Sequence, residues 1–126
     1  IEDTFKQKNL ELIDEYAFYG LINTQETLDF DLNFLTRIKN KTFAGLQKTK
    51  VLKLNRNKIN LIERGVFSHL KELERLELSF NSLKIINIVI LSYLENLLYL
   101  RLDNNRLIEL ENFDKLINLK HLFLGF

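Results

Sequence analysis

The sequence predicts a solenoid of stacked strand, turn and return segments, and three observations predict it. A pattern of apolar residues recurs every 24 residues without gaps, an asparagine holds a fixed place in each copy, and proline is absent. The copies read "LDFDLNFL", "LKLNRNKI", "LELSFNSL" and "LRLDNNRL", with Asn33, Asn57, Asn81 and Asn105 in register. A fixed period of this length marks a repeat architecture. With no proline and only 4 glycines, the turns need a regular device of their own, and repetition supplies it.

Taken in order, residues 1–24, "IEDTFKQKNLELIDEYAFYGLINT", fit the frame poorly. "AFYGL" at 17–21 matches "TFAGL" at 42–46, so this region reads as a degenerate N-terminal capping unit, with a short amphipathic helix as the competing reading. Four repeats follow at 25–48, 49–72, 73–96 and 97–118, then a truncated fifth strand at 119–126. Each strand opens on Leu28, Leu52, Leu76, Leu100 or Leu122, and its second core residue is Phe30, Leu54, Leu78, Leu102 or Leu124. Past the asparagine come Leu35, Ile59, Leu83 and Leu107, then Ile38, Ile62, Ile86 and Leu110. A phenylalanine spine is expected from Phe43, Phe67, Leu91 and Phe113. The last full unit is two residues shorter, by a deletion between Leu110 and Phe113.

The asparagines have a physical reason. Where a coil leaves its strand, backbone N–H and C=O groups point inward without ladder partners, and each costs about 1–3 kcal/mol if left unpaired. A carboxamide offers donors and acceptors together, so Asn33, Asn57, Asn81 and Asn105 are expected to form a buried ladder bonding their own turn and the next.

The pattern LxxLxLxxNxLxxLxxxxFxxL over residues 25–126 resembles the leucine-rich repeat family in its typical 24-residue class, the type found in Toll-like receptor ectodomains and secreted relatives. Departures fall at Gln25 and Thr49, where leucine is usual, and at Leu91, where phenylalanine is. The resemblance implies an α/β fold, a right-handed solenoid with a curved parallel β-sheet on the concave side and irregular or short helical returns on the convex side. It also implies a protein ligand held on the concave sheet.

Composition excludes several functions. Eighteen basic against 17 acidic side chains leave a net charge of +1, which gives no global field for nucleic acid or an anionic membrane, and neither is an expected partner. No apolar run reaches the roughly 18 residues needed to span a bilayer, so no membrane insertion of this segment is expected. Cysteine is absent, and His69 and His121 stand in different phases of the coil, so neither disulfide nor metal is expected. No nucleophile with a nearby base and no phosphate-binding loop occurs, so the reading is non-enzymatic, with no cofactor. The chain opens at Ile1 and stops at Phe126, just before the next asparagine falls due. That predicts a fragment, a solenoid continuing at the C-terminal end, or a homo-oligomer.

The outward strand positions read Asp29, Lys53, Glu77, Arg101 and Phe123, preceded by Glu26, Lys50 and Glu74. Their alternating signs suit a charge ladder between repeats, each exposed pair contributing about 0–1 kcal/mol. Apolar and aromatic residues collect towards the C-terminal half, and the expected ligand-binding set is Lys53, Glu77, Phe80, Tyr99, Arg101, Asp103, His121 and Phe123. Exposed aromatics with arginine are the composition of binding hot spots. Ile88 and Val89, in the apolar run "KIINIVILSYL", are a candidate convex contact. "NKT" makes Asn40 a candidate glycosylation site. The functional reading is therefore a recognition module of receptor-ectodomain or immune type, secreted and glycosylated. The alternative is a cytoplasmic scaffold, since the 22-residue last unit resembles intracellular phosphatase-regulator and ciliary leucine-rich-repeat proteins.

Overall fold

Leucines repeated at one phase can share a core only if successive strands lie side by side. The structure, a computed structural model, describes residues 2–20, 26–110 and 116–125. Its strands are β1 (Glu2–Thr4), β2 (Thr27–Asp29), β3 (Arg37–Ile38), β4 (Val51–Lys53), β5 (Leu61–Ile62), β6 (Arg75–Glu77), β7 (Ile85–Ile86), β8 (Tyr99–Arg101), β9 (Glu109–Leu110) and β10 (His121–Phe123). A six-stranded sheet runs β1-β2-β4-β6-β8-β10, parallel throughout. Leu28 pairs with Leu52, Leu52 with Leu76, Leu76 with Leu100, and Leu100 with Leu122. The chain is thus an α/β solenoid with its curved sheet on the concave side.

Alternation along each strand decides what is buried, because successive side chains point to opposite faces. Leu28, Leu52, Leu76 and Leu100 face inward with no exposed surface, and Leu54 and Leu78 join them. Each such side chain contributes about 1.5–3 kcal/mol on burial. The far wall is built by Phe43, Phe67 and Leu91, all fully buried, so leucine fills the spine position without opening it. Phe113 and the site of the two-residue deletion lie outside the described residues.

The asparagines occupy the gap between these walls. Asn57 Nδ2 donates to the carbonyls of Leu54 and Asn55 in its own turn, at 3.2 Å each, and to Phe30 of the preceding coil at 3.0 Å. Its Oδ1 accepts the Leu35 N–H at 3.1 Å. Asn81 repeats the arrangement with Leu78, Ser79, Leu54 and Ile59, and Asn105 with Leu102, Asp103, Leu78 and Leu83. Asn33 reaches Phe5, Lys8 and Leu10 in the N-terminal segment as well as Phe30 and Asp31. The bonds run back to the preceding coil, not forward to the next one. The residue before each asparagine, Leu32, Arg56, Phe80 or Asn104, is left-handed, with φ of 55–59°. Such a conformation costs a non-glycine residue about 1–2 kcal/mol, so the ladder holds a strained turn closed.

The N-terminal segment stacks as a coil in its own right. Asp3 pairs with Leu28, a step of 25 residues, which brings Phe5 over Phe30 at 4.9 Å and Phe18 beside Phe43 at 6.5 Å. Close contact here demands Gly45: a Cβ on it would lie 2.6 Å from the Phe18 carbonyl oxygen, and its φ is +100°.

On the convex side β3 pairs with β5 and β7 with β9. The second return carries a 3-10 turn at Val66–His69 and the third a one-turn helix, α1, at Ile88–Leu91. Asn87 Oδ1 accepts the Val89 N–H at 2.7 Å at the start of α1. The apolar run there is largely turned inward: Leu91 and Leu94 are buried, Ile90 packs against the core, and Val89 is half-buried. The side chain of Ile88 lies outside the described residues, and the run's exposed large hydrophobic residues among those described are Ile85, 52% accessible, and Tyr93, 37% accessible.

Candidate recognition surface on the concave sheet

Because the strands are in register, outward residues form columns across the sheet. One column is Thr27, Val51, Arg75, Tyr99 and His121, and the next is Asp29, Lys53, Glu77, Arg101 and Phe123. Asp31, Asn55, Ser79 and Asp103 follow one step beyond the strands.

The two halves of this face differ in chemistry. Towards the N-terminal side lies a closed polar network around Asn55. Its N–H donates to Asp31 Oδ1 at 2.7 Å, its Nδ2 to Glu77 Oε2 at 2.6 Å, and its Oδ1 accepts the Ser79 N–H and hydroxyl at 2.9 and 2.8 Å. Asp29 Oδ1 accepts the Asp31 N–H at 2.9 Å. Burial pushes the Asp31 carboxyl above its ordinary 3.8, with the charges of Asp29 and Glu77 adding to the effect against the bonds from Asn55. A small polar cleft of about 160 Å³ opens beside the network, lined in part by Asp31, Asn55, Arg56, Phe80 and Arg101.

Towards the C-terminal side lies an aromatic cluster. Tyr99 stands 5.2 Å from Phe123 and 6.0 Å from His121, and the Arg75 guanidinium lies 3.9 Å over the Tyr99 ring. Arg101 donates to Asp103 through Nε at 2.7 Å and through Nη2 at 3.3 Å. Burial alone would raise the Asp103 carboxyl, but the hydrogen bonds from Arg101 and Asn104 and the Arg101 charge hold it below the usual range. His121 and Phe123 are exposed, while Tyr99, Arg101 and Asp103 are half-buried.

Of the residues singled out from sequence, Tyr99, Arg101, Asp103, His121 and Phe123 come together. Phe80 stands one coil back, where its N–H donates to the Asp103 carbonyl at 3.1 Å; it lines the polar cleft with Arg101, and Arg56 stacks 4.2 Å from its centroid. Lys53 is half-buried in the same column as Arg101. Glu77 is a correction: only 6% of it is accessible, and Arg75 Nε holds Oε1 at 2.5 Å while Asn55 holds Oε2. It braces the face from below instead of presenting a carboxylate to a ligand. The charge ladder between repeats is a second correction. Among the described residues the two ion pairs, Arg75–Glu77 and Arg101–Asp103, each join residues two apart within one coil, the first along β6 and the second from the end of β8 to a residue just beyond it.

Arg75, Asn55 and Arg56 were not singled out, although Arg75 stands one repeat before Tyr99 in the outward column, and that spacing is a signal for it. On the convex side Asn40 is half-buried, and its N–H donates to Glu63 Oε2 at 2.9 Å. Among the described residues no group of His, Asp or Glu side chains is placed to hold a metal ion, and no helix is long and apolar enough to cross a membrane.

Stacked parallel coils with a buried asparagine ladder and a built concave face define a repeat solenoid whose sheet is free to meet a macromolecule. The family model described as leucine rich repeat matches residues 24–83. Among solved structures, the leucine-rich repeat domain of APL1B is similar with a TM-score of 0.93 at 23% identity, over 99% of this chain and 36% of that one. TLR13, solved as a TLR13–ssRNA13 complex, is similar with a TM-score of 0.83 at 32% identity, over 91% of this chain and 17% of that one. No curated protein matches the sequence. Residues 24–83 thus match the leucine-rich repeat family, and the chain shares the fold of its solved domains; members of that family are in general protein-interaction modules and non-catalytic.

Proposed function

We propose that this chain is a non-catalytic recognition segment that binds a protein ligand through the C-terminal half of its concave sheet. The observation that carries the reading is the Tyr99, His121 and Phe123 cluster with Arg75 over Tyr99 and the Arg101–Asp103 pair beside it. Aromatic rings and arginines grouped on an exposed face supply most of the energy at protein interfaces. Lys53 belongs to the rim of this surface, and residues 1–24 act as its N-terminal cap. The likeness to TLR13 supports an extracellular, receptor-type or immune setting, and the "NKT" sequon makes Asn40 the position that would carry a glycan there. Affinity capture from the native source, repeated with Tyr99→Ala, Arg101→Ala and Phe123→Ala, tests the site: partner recovery should fall at least tenfold, and undiminished recovery refutes it.

One observation favours the cytoplasmic scaffold instead. Phe123 pairs with Arg101 across a 22-residue step, the spacing by which the last unit resembles intracellular members. Mass spectrometry of native protein separates the two readings: a glycan on Asn40 supports the first, and unmodified Asn40 with cytoplasmic partners supports the second.

A further inference from the structure

We propose that the edge of the solenoid just past the asparagine turns is a docking groove for an extended, acid-rich polypeptide segment. This deepens the protein-ligand reading and rests on it. The groove has a volume of about 700 Å³ and is lined by Thr36, Lys58, Asn60, Ser82, Lys84 and Arg106. Three of the six are cations and none is a carboxylate. They come from three successive coils, one each. Among the described residues none of the three is in an ion pair, and the one partner seen is the Phe34 ring, 5.1 Å from Lys58 Nζ.

The backbone does not compete for a ligand here. The N–H groups of Lys58, Asn60, Ser82 and Arg106 all donate to carbonyls of the preceding coil, at 2.9–3.0 Å, so recognition falls to the side chains. The opposite edge is different in charge: its groove of about 510 Å³ has Glu72 and Glu74 beside Lys50. A net charge of +1 therefore hides an uneven distribution, with a local positive field on one edge.

Charge complementarity requires an anionic occupant, and two features favour a polypeptide over a nucleic acid. Single-stranded nucleic acid is held by aromatic stacking platforms as well as cations; none of the six lining residues is aromatic, and the ring beside the groove, Phe34, already has Lys58 Nζ 5.1 Å from its centroid. Three cations would neutralise about three phosphates, few for a stable complex. An extended peptide suits the spacing better. Acidic side chains at alternate positions recur about every 6.6 Å along one face, so three of them span about 13 Å, while two coil steps span about 10 Å; flexible lysine and arginine stems cover the difference.

Fluorescence anisotropy on the 126-residue chain tests this with three labelled probes: a 12-residue peptide alternating Glu and Ser, the same peptide with Gln for Glu, and a 12-nucleotide single-stranded RNA. The Glu peptide should bind at least tenfold tighter than the Gln peptide and tighter than the RNA. The Lys58→Glu, Lys84→Glu, Arg106→Glu triple variant should weaken it at least tenfold, and the milder triple change to Gln should fall between. Circular dichroism of both variants should match the parent, since all three positions are exposed. Equal binding of the Glu and Gln peptides, or insensitivity to the Gln variant, overturns the proposal; tighter RNA binding overturns the choice of polypeptide. Tyr99→Ala with Phe123→Ala should change Glu-peptide affinity less than twofold. A peptide lost through those changes would place it on the concave face, so failure of the groove and failure of the concave site are read separately.

Discussion

Replacing Asn81 with leucine tests the ladder that closes every turn. The size of the effect follows from which partners the change leaves stranded. Asn81 donates to the carbonyls of Leu54, Leu78 and Ser79 and accepts the Ile59 N–H. Leu54 O is also held by Asn57 Nδ2, Leu78 O by Asn105 Nδ2, and Ser79 O by the Arg56 N–H. Each of those carbonyls keeps a partner, so its loss is one modest bond of about 0.5–1.5 kcal/mol. The Ile59 N–H has no second acceptor and sits in a residue with no exposed surface. Stranding it costs about 1–3 kcal/mol. The total is about 2.5–7.5 kcal/mol, a large part of the roughly 6–19 kcal/mol expected for a domain of this size. Urea unfolding followed by circular dichroism should show that loss, and thermal unfolding a Tm lower by roughly 10–30 °C. Asn60→Ala, exposed on the same edge, should stay within about 0.5 kcal/mol. A change below about 1 kcal/mol for Asn81→Leu would mean that the turn is closed by strand packing and not by the carboxamide.

Gly45→Ala should destabilise the packing of residues 2–20 on the first repeat by more than about 2 kcal/mol, because a Cβ would meet the Phe18 backbone at 2.6 Å; Gly20→Ala, with open space around it, should cost only about 1 kcal/mol of backbone strain. Limited proteolysis within residues 2–20 reads the difference. Asp31→Asn should flatten the acid limb of the stability curve: with its folded pKa raised, the native state holds its proton longer than the unfolded chain, so its contribution is present below 3.8 and lost as pH rises through the folded value. Above that value the variant should match or exceed the parent in urea unfolding; a clear loss would show that the charge is needed by Asn55. His69 has the opposite sign. Burial, then the charges of Lys41 and Lys71, lower its pKa below the ordinary 6.5, so its contribution is present above 6.5 and lost as pH falls through the folded value. His69→Gln should remove that pH-dependent fraction, and an unchanged profile between pH 7 and 5 would refute the assignment.

The sheet was legible in the sequence because a register slip of one residue would turn every strand leucine towards water. The 24-residue frame therefore leaves one pairing for Leu28, Leu52, Leu76 and Leu100. The N-terminal coil was harder to see, since Asp3 stands where the frame wants leucine; its place is set instead by Phe5 and Phe18 packing on Phe30 and Phe43. The concave face was half legible. Column membership is periodic and could be read, but the choice of ion-pair partner is not. Glu77 has Lys53 and Arg101 as column neighbours, yet Arg75, two residues back on the same strand, reaches it while also covering Tyr99. Depth is equally silent in a periodic pattern: Asp29 and Glu77 are buried where Lys53 is not, because short carboxylates are drawn down to the Asp31 and Asn55 donors and a lysine stem is not.

That division of the concave sheet bears on where a ligand can gain energy. Over Asn55 the donors and acceptors already satisfy one another, and a partner would have to break bonds to make new ones, for little net gain. Over Tyr99, His121 and Phe123 the rings still have surface to give up to a partner, and apolar area removed from water is worth about 25 cal/mol per Å². Arg75 joins the two halves: its Nε bonds Glu77 in the network and its guanidinium plane lies on Tyr99. The hydrogen-bonded half thereby fixes the orientation of the half proposed to bind, which would lower the entropy a partner must remove on docking. The asparagine ladder and the network above it serve one end, since both hold neighbouring coils at a spacing that keeps the Tyr99 and Phe123 rings 5.2 Å apart and side by side on one face.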